Sequence, residues 1–91
     1  MFIVVCYDIP DNRRRSRLGK VLEAYGYRVQ KSVFECEVSS ELYQKMRRRV
    51  ERLVSKTDDS VRYYSLCQNC LSKVEICGLG EVRREKSLFV V

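Results

Sequence analysis

The chain opens on a run with almost no polar relief, Phe2-Ile3-Val4-Val5-Cys6-Tyr7, which is closed by Asp8 and punctuated by Pro10. A continuous apolar run of this kind suits a central strand covered on both faces. Proline has no N–H to give a sheet ladder, so the strand stops by residue 9. Asp11 or Asn12 then caps a helix. From Asn12 to about Tyr25, the apolar positions Leu18, Val21, Leu22 and Tyr25 recur at helical spacing, with Arg13, Arg14, Arg17 and Lys20 mostly off that face. Gly26 ends the helix, most simply as a left-handed C-cap.

Residues 27–38 then change period. Phe34, Cys36 and Val38 point one way and Val33, Glu35 and Glu37 the other, the alternation of a half-buried strand. Twelve residues exceed a usual strand, so a bend or tight hairpin is expected near Lys31-Ser32. Ser39 caps a second helix with Leu42, Met46, Val50, Leu53 and Val54 on its apolar face. Thr57-Asp58-Asp59-Ser60 reads as a turn with solvated carboxylates. Val61–Cys67 is another strand, Gln68-Asn69 a turn, and Val74–Cys77 a short strand stopped by Gly78-Leu79-Gly80. Residues 81–87 are charged and expected to be exposed. The apolar end, Leu88-Phe89-Val90-Val91, is expected to pair with a sheet edge, that of a partner subunit included. The order predicts an α+β fold, a ferredoxin-like βαββαβ with a C-terminal strand extension. Residues 1–91 form one domain in this reading, with about 74–91 contacting the partner. Both helices pack on one sheet face, and the other face calls for cover that a second copy would supply.

Charge changes the picture more than composition does. The 91 residues carry a formal net charge of +6, which favours polyanionic partners. No apolar run is long enough for a membrane span, and the N-terminus begins directly with a strand rather than a signal peptide, so a cytoplasmic location is expected. Five cysteines without an export signal read as reduced core residues. Histidine is absent, which removes Ser-His-Asp and Cys-His catalysis and the histidine pairs of metal-free ribonucleases.

Chemistry then falls to carboxylates, arginines, tyrosines, hydroxyls or a metal ion. Asp8 sits at the carboxyl end of the first strand, where open α/β sheets place ligands. It either caps the turn or binds a cation. A lone carboxylate is a poor site, but Mg²⁺ keeps several waters and takes one or two carboxylates with phosphate. A twofold axis near the strand end would bring two Asp8 side chains to one ion. Arg13, Arg14, Arg15 and Arg17 crowd the first turns of a helix, where the dipole disfavours cations; ligand phosphates or Asp11 would offset that conflict. Arg28 and Lys31 add charge near the same edge. Lys45, Arg47, Arg48, Arg49 and Arg52 crowd the second helix, as a solvated face paired to Glu41 and Glu51 or as a nucleic-acid surface. Tyr7, Tyr27, Phe34, Tyr63 and Tyr64 either pack in the core or stack on bases. Cys67-Gln-Asn-Cys70 is a single CxxC, short of the four ligands zinc wants unless two copies share an ion; a thioredoxin-like redox role needs the motif at a helix start after a strand, and Leu71-Ser72-Lys73 gives only a weak helix signal.

With these residues in place, the chain resembles the CRISPR-associated small spacer-acquisition protein, the Cas-two endonuclease family. The resemblance rests on Val5-Cys6-Tyr7-Asp8-Ile9, the arginines leading to Arg17-Leu18, and Tyr25-Gly26-Tyr27-Arg28-Val29-Gln30-Lys31-Ser32-Val33-Phe34-Glu35, and covers residues 1–67 best. It implies a homodimer whose C-terminal strand reaches the partner's sheet. It also implies a metal-dependent endonuclease acting on single-stranded RNA or double-stranded DNA, and a place beside the CRISPR spacer integrase. By the same resemblance Asp8 is the catalytic Mg²⁺ ligand, one from each subunit, and Tyr7, Arg15, Arg17, Arg28, Ser32 and Phe34 match positions linked to activity or substrate contact. Pro10 and the CxxC fall outside the shared pattern. Two classes stand open: a Mg²⁺-dependent nuclease, and a non-catalytic dimeric DNA-binding scaffold for the integrase. A toxin-like ribonuclease of similar fold is a third.

Overall fold

The apolar run at the start of the chain becomes the second strand in from one edge of a four-stranded sheet. In the computed structural model, which describes residues 1–83, the elements run β1 (Phe2–Asp8), α1 (Asn12–Glu23), β2 (Tyr27–Gln30), β3 (Val33–Glu37), α2 (Ser40–Leu53), β4 (Ser60–Leu66) and α3 (Gln68–Leu71). The strands lie in the order β2-β3-β1-β4, and each neighbouring pair is antiparallel. This is the ferredoxin-like α+β arrangement. The long alternating stretch breaks at Lys31-Ser32 into the β2–β3 hairpin, where the sequence calls for a bend.

The period of two on β1 decides which side chains meet the helices. Ile3, Val5 and Tyr7 are buried and join Leu18 and Leu22 of α1, Met46 and Val50 of α2, and Phe34 and Cys36 of β3 in one cluster. On the opposite face of β1, Phe2 is buried, Val4 and Cys6 are half-buried, and Asp8 is exposed. The expected cover on both faces is therefore complete on the helix side only. The cross-strand partners of that second face include Glu35 and Tyr64 opposite Val4, Arg62 opposite Cys6, and Ser60 opposite Asp8.

Both long helices start where capping side chains allow. Asp11 accepts the Arg14 backbone N–H at 2.9 Å, and Ser39 Oγ accepts that of Leu42 at 3.1 Å, each satisfying one donor that the first turn leaves unpaired. The end of α1 departs from expectation. The helix stops at Glu23, Tyr25 and Gly26 donate back to the Leu22 carbonyl at 2.9 and 3.0 Å, and Gly26 has no positive φ. Its glycine answers a close approach instead: a Cβ there would lie 2.6 Å from Cys36 Sγ and 2.8 Å from Cys36 Cα.

Three further differences share one cause, the lack or presence of a tertiary neighbour. Val74–Cys77 is irregular rather than a strand: it forms no ladder with another strand among the described residues, and Val74, Ile76 and Cys77 are exposed, so no packing holds it extended. Gln68–Leu71 forms a single helical turn, with Leu71 buried, so the expected turn at Gln68-Asn69 belongs to α3. Of the five cysteines, Cys36 is buried and Cys6 half-buried, while Cys67, Cys70 and Cys77 are exposed, which overturns the reading of all five as core residues. The apolar end at 88–91 lies outside the described residues. No helix among those described is long and apolar enough to cross a membrane.

Replacing Gly26 by alanine tests the contact between the end of α1 and β3. The added methyl should cost about 1–3 kcal/mol through overpacking, lowering the melting temperature by roughly 4–8 °C per kcal/mol in a domain this size. An unchanged melting temperature in a thermal scan would show that β3 has room to give.

Candidate functional site

The carboxyl end of β1 opens into a cavity of about 590 Å³ lined by Tyr7, Asp8, Ile9, Asn12, Arg15, Ser16, Arg28, Lys31 and Ser32. Three chain segments build it: the strand end, the first turns of α1, and the β2–β3 hairpin. Helical geometry explains which arginine of the cluster enters. Asn12, Arg15 and Ser16 stand at i, i+3 and i+4 and so share one stripe of α1, whereas Arg13, Arg14 and Arg17 fall on others. Asn12 and Ser16 escape a reading that follows charge alone, although that spacing is visible in the sequence.

The two guanidinium groups here are held chiefly by neutral oxygens. Arg15 donates to the Ile9 carbonyl at 2.8 Å, to the Pro10 carbonyl at 3.5 Å and to Asn12 Oδ1. Arg28 donates to Tyr7 Oη at 3.3 Å and to the Lys31 carbonyl. Its guanidinium lies 4.8 Å from the Phe34 ring centroid, and the Phe34 and Tyr7 rings stack at 6.4 Å. Gly19 makes room for this: a Cβ there would meet Arg28 Nη2 at 2.5 Å. Among the described residues Arg28 forms an ion pair with Glu23 at 3.9 Å, both side chains open to water, where such a pair is weak. Dipolar oxygens fix orientation without cancelling charge, so both cations keep their reach for an anion.

Asp8 is exposed, and its carboxylate makes no ion pair or hydrogen bond with a described side chain. Among the described residues no three His, Cys, Asp or Glu side chains gather as a cation cage. Asp8 thus offers one carboxylate in an open, polar setting. That donor set fits the habit of Mg²⁺, which fills most positions with water and phosphate oxygens, and it leaves a place for a second carboxylate.

The other basic candidates lie elsewhere. Arg14 is taken up by Asp59, with Nε–Oδ2 at 2.8 Å and Nη2–Oδ1 at 3.1 Å, and Asp11 adds a looser contact at 3.7 Å. Asp59, expected to be solvated, has no exposed side-chain surface and also accepts the Ser55 backbone N–H at 2.8 Å. The Arg14 guanidinium, followed by the Ser55 N–H, holds its carboxyl below the ordinary aspartate value. Arg13 and Arg17 are exposed on α1, and Arg48 and Arg52 on α2, away from the cavity. Arg49 donates to Tyr25 Oη at 3.1 Å and lies over that ring. Tyr63 packs edge-on against Tyr43, with Arg47 over both rings, and burial pushes its hydroxyl up to about 12. Tyr64 is exposed on the face away from the helices.

Sheet order, helix placement and a basic cleft carrying one free carboxylate define a ferredoxin-like protein with an anion-attracting rim. The family model described as CRISPR associated protein Cas2 matches residues 1–74, and the chain belongs to that family. It is 43% identical over 79 residues to the CRISPR-associated endoribonuclease Cas2 3 of Synechocystis, covering 86% of each chain. It is 43% identical over 87 residues to the CRISPR-associated endonuclease Cas2 2 of Thermus thermophilus, covering 96% of this chain and 92% of that one. Among solved structures, Streptococcus pyogenes Cas2 at pH 6.5 superposes with a TM-score of 0.77 at 32% identity, over 86% of this chain and 100% of that one.

The Arg14–Asp59 pair ties the cleft's helix to the loop before β4 and carries a pH signature. Because the folded-state pKa of Asp59 is depressed, its contribution is present above the unfolded value near 3.8 and is lost as pH falls through the lower folded value. Asp59→Asn should lower the urea midpoint at neutral pH and flatten the acid limb of stability below that value. Parallel pH profiles for the two proteins would show that the pair contributes nothing.

Proposed function

We propose that this protein is a Mg²⁺-dependent endonuclease that hydrolyses phosphodiester bonds of single-stranded RNA or duplex DNA, acting as a homodimer with Asp8 as its catalytic metal ligand. The observation that carries the reading is the unpartnered Asp8 carboxylate in a cleft whose guanidinium groups answer mainly to neutral oxygens. The names of the relatives, endoribonuclease and endonuclease, support it.

In this mechanism Arg15, Arg28 and Lys31 draw in the sugar–phosphate backbone. Arg15 and Arg28 bind its oxygens in fixed orientation, since each fork is already anchored at one end. Asn12, Ser16 and Ser32 offer polar contacts along the same wall. Asp8 would hold the cation. A Mg²⁺ ion held there would supply Lewis-acid polarisation of a phosphate and an activated water. The β1 alternation places Asp8 on the same sheet face as Val4 and Cys6, where Tyr64 and Leu66 also lie. A second copy packed on that face would cover these apolar groups and bring the two carboxylates toward one ion. No membrane partner enters, and a cytoplasmic setting suits free thiols and a nucleic-acid substrate.

A second reading is favoured by α2. Arg48 and Arg52, one helical turn apart and exposed, have no ion-pair or hydrogen-bond partner among the described residues. They suit a duplex lying across the dimer, and in that reading the protein is a DNA-binding scaffold for a CRISPR spacer integrase, with cleavage secondary.

Asp8→Ala separates the two. Cleavage of labelled RNA and duplex DNA in Mg²⁺ should fall by at least about 100-fold, on the scale of removing a transition-state contact, while duplex affinity is retained. Cleavage at the wild-type rate would exclude Asp8 as the catalytic ligand. For the scaffold reading, replacing Arg48 and Arg52 together by alanine should flatten the plot of log affinity against log salt on duplex DNA by roughly two units for each subunit, about four for a duplex lying across the dimer. An unchanged slope would place the duplex on another surface.

A further inference from the structure

Free cysteine is among the most buried residue types, yet three of the five here are exposed, and two of those share one turn. Cys67 is the N-cap of α3, with φ −73° and ψ 168°, and its Sγ accepts the Cys70 backbone N–H at 3.4 Å. The two side chains therefore belong to a single exposed turn, and the Cys67 sulfur already lies against the backbone of Cys70.

We propose that Cys67 and Cys70 form a reversible dithiol–disulfide site that exchanges with low-molecular-weight disulfides. The turn divides the labour between the two sulfurs. Hydrogen bonds from the Cys70 N–H and then the Cys70 thiol hold the Cys67 thiol below its ordinary value, and the same contact raises that of Cys70. Cys67 is the group that attacks, because the thiolate is the nucleophile. Its sulfur bonds to one sulfur of the small disulfide, whose S–S bond breaks and releases one thiolate. Cys70 then loses its proton, attacks the Cys67 sulfur of the mixed disulfide, and expels the second thiol. The protein pair is oxidised by two electrons, and the small disulfide is reduced to two thiols. A zinc site is the poorer account, since no third His, Cys, Asp or Glu joins the pair among the described residues.

The position gives the exchange a structural consequence. The turn lies between the end of β4 and residues 74–83, which run beside β2 and place Arg83 over the Tyr27 ring at 5.2 Å. A covalent link from Cys67 to Cys70 fixes the turn from which that segment departs.

The test uses the full chain, reduced, freed of reductant, incubated with oxidised glutathione, then alkylated and digested with trypsin. The peptide spanning 63–73 holds Cys67 and Cys70 and no other cysteine. It should lose both alkylatable thiols and the mass of two hydrogen atoms, and dithiothreitol should restore them. Cys70→Ser should accumulate a stable glutathione adduct on Cys67. Cys67→Ser should slow modification at Cys70 by about tenfold or more. Two free thiols in that peptide after Cys77 has reacted would overturn the proposal, as would equal adduct formation in the two variants.

Discussion

The sheet has one face that must be dry and one that need not be, and β1 carries both. Ile3, Val5 and Tyr7 are pulled beneath α1 and α2 by burial of their apolar surface. The strict alternation of a strand then sends Phe2, Val4, Cys6 and Asp8 the other way. A shift of one residue in register would bury the carboxylate and expose the core. The position of Asp8 is therefore set by the hydrophobic residues beside it, and the same packing brings the start of α1 and the β2–β3 hairpin to its rim.

Around that carboxylate the structure treats positive charge in two ways. Arg14 is neutralised by Asp59, which has no exposed side-chain surface, and serves to fasten α1 to the loop before β4. Arg15 and Arg28 are oriented by carbonyl, amide and phenol oxygens. Those contacts restrict the side chains while leaving the charge available, and the stack of Arg28 on Phe34 restricts it further. Arg14 and Arg15, neighbours in sequence, thus sit in different environments, one paired with a carboxylate and the other with neutral oxygens. Neighbouring positions on α1 differ because a helix turns 100° per residue.

The sequence was legible where a local rule decides the outcome. The apolar run closed by Asp8-Ile9-Pro10, the break at Lys31-Ser32, the Ser39 cap and the alternation from Val33 to Val38 each follow from residue chemistry and period. It was opaque where a distant neighbour decides. Gly26 looks like a helix stop, but its small size is required by Cys36 of β3. Asp59 looks like loop solvation, but Arg14, forty-five positions away, captures it. Val74–Cys77 has strand composition but pairs with no strand among the described residues, although it runs beside the outer edge of β2. The cleft shows both cases: Asp8 and the basic residues stand out by type, whereas Asn12 and Ser16 enter it only through the stripe that Arg15 occupies.

Backbone and side-chain NMR of the protein titrated with a short single-stranded RNA in Mg²⁺-free buffer reports where the phosphate backbone is held, independent of cleavage. The largest shifts should fall at the amides of Tyr7, Asp8 and Ser32 and at the Nε–H groups of Arg15 and Arg28, with Arg14 unmoved. Shifts that leave this group at its free positions while others titrate to saturation would contradict that placement.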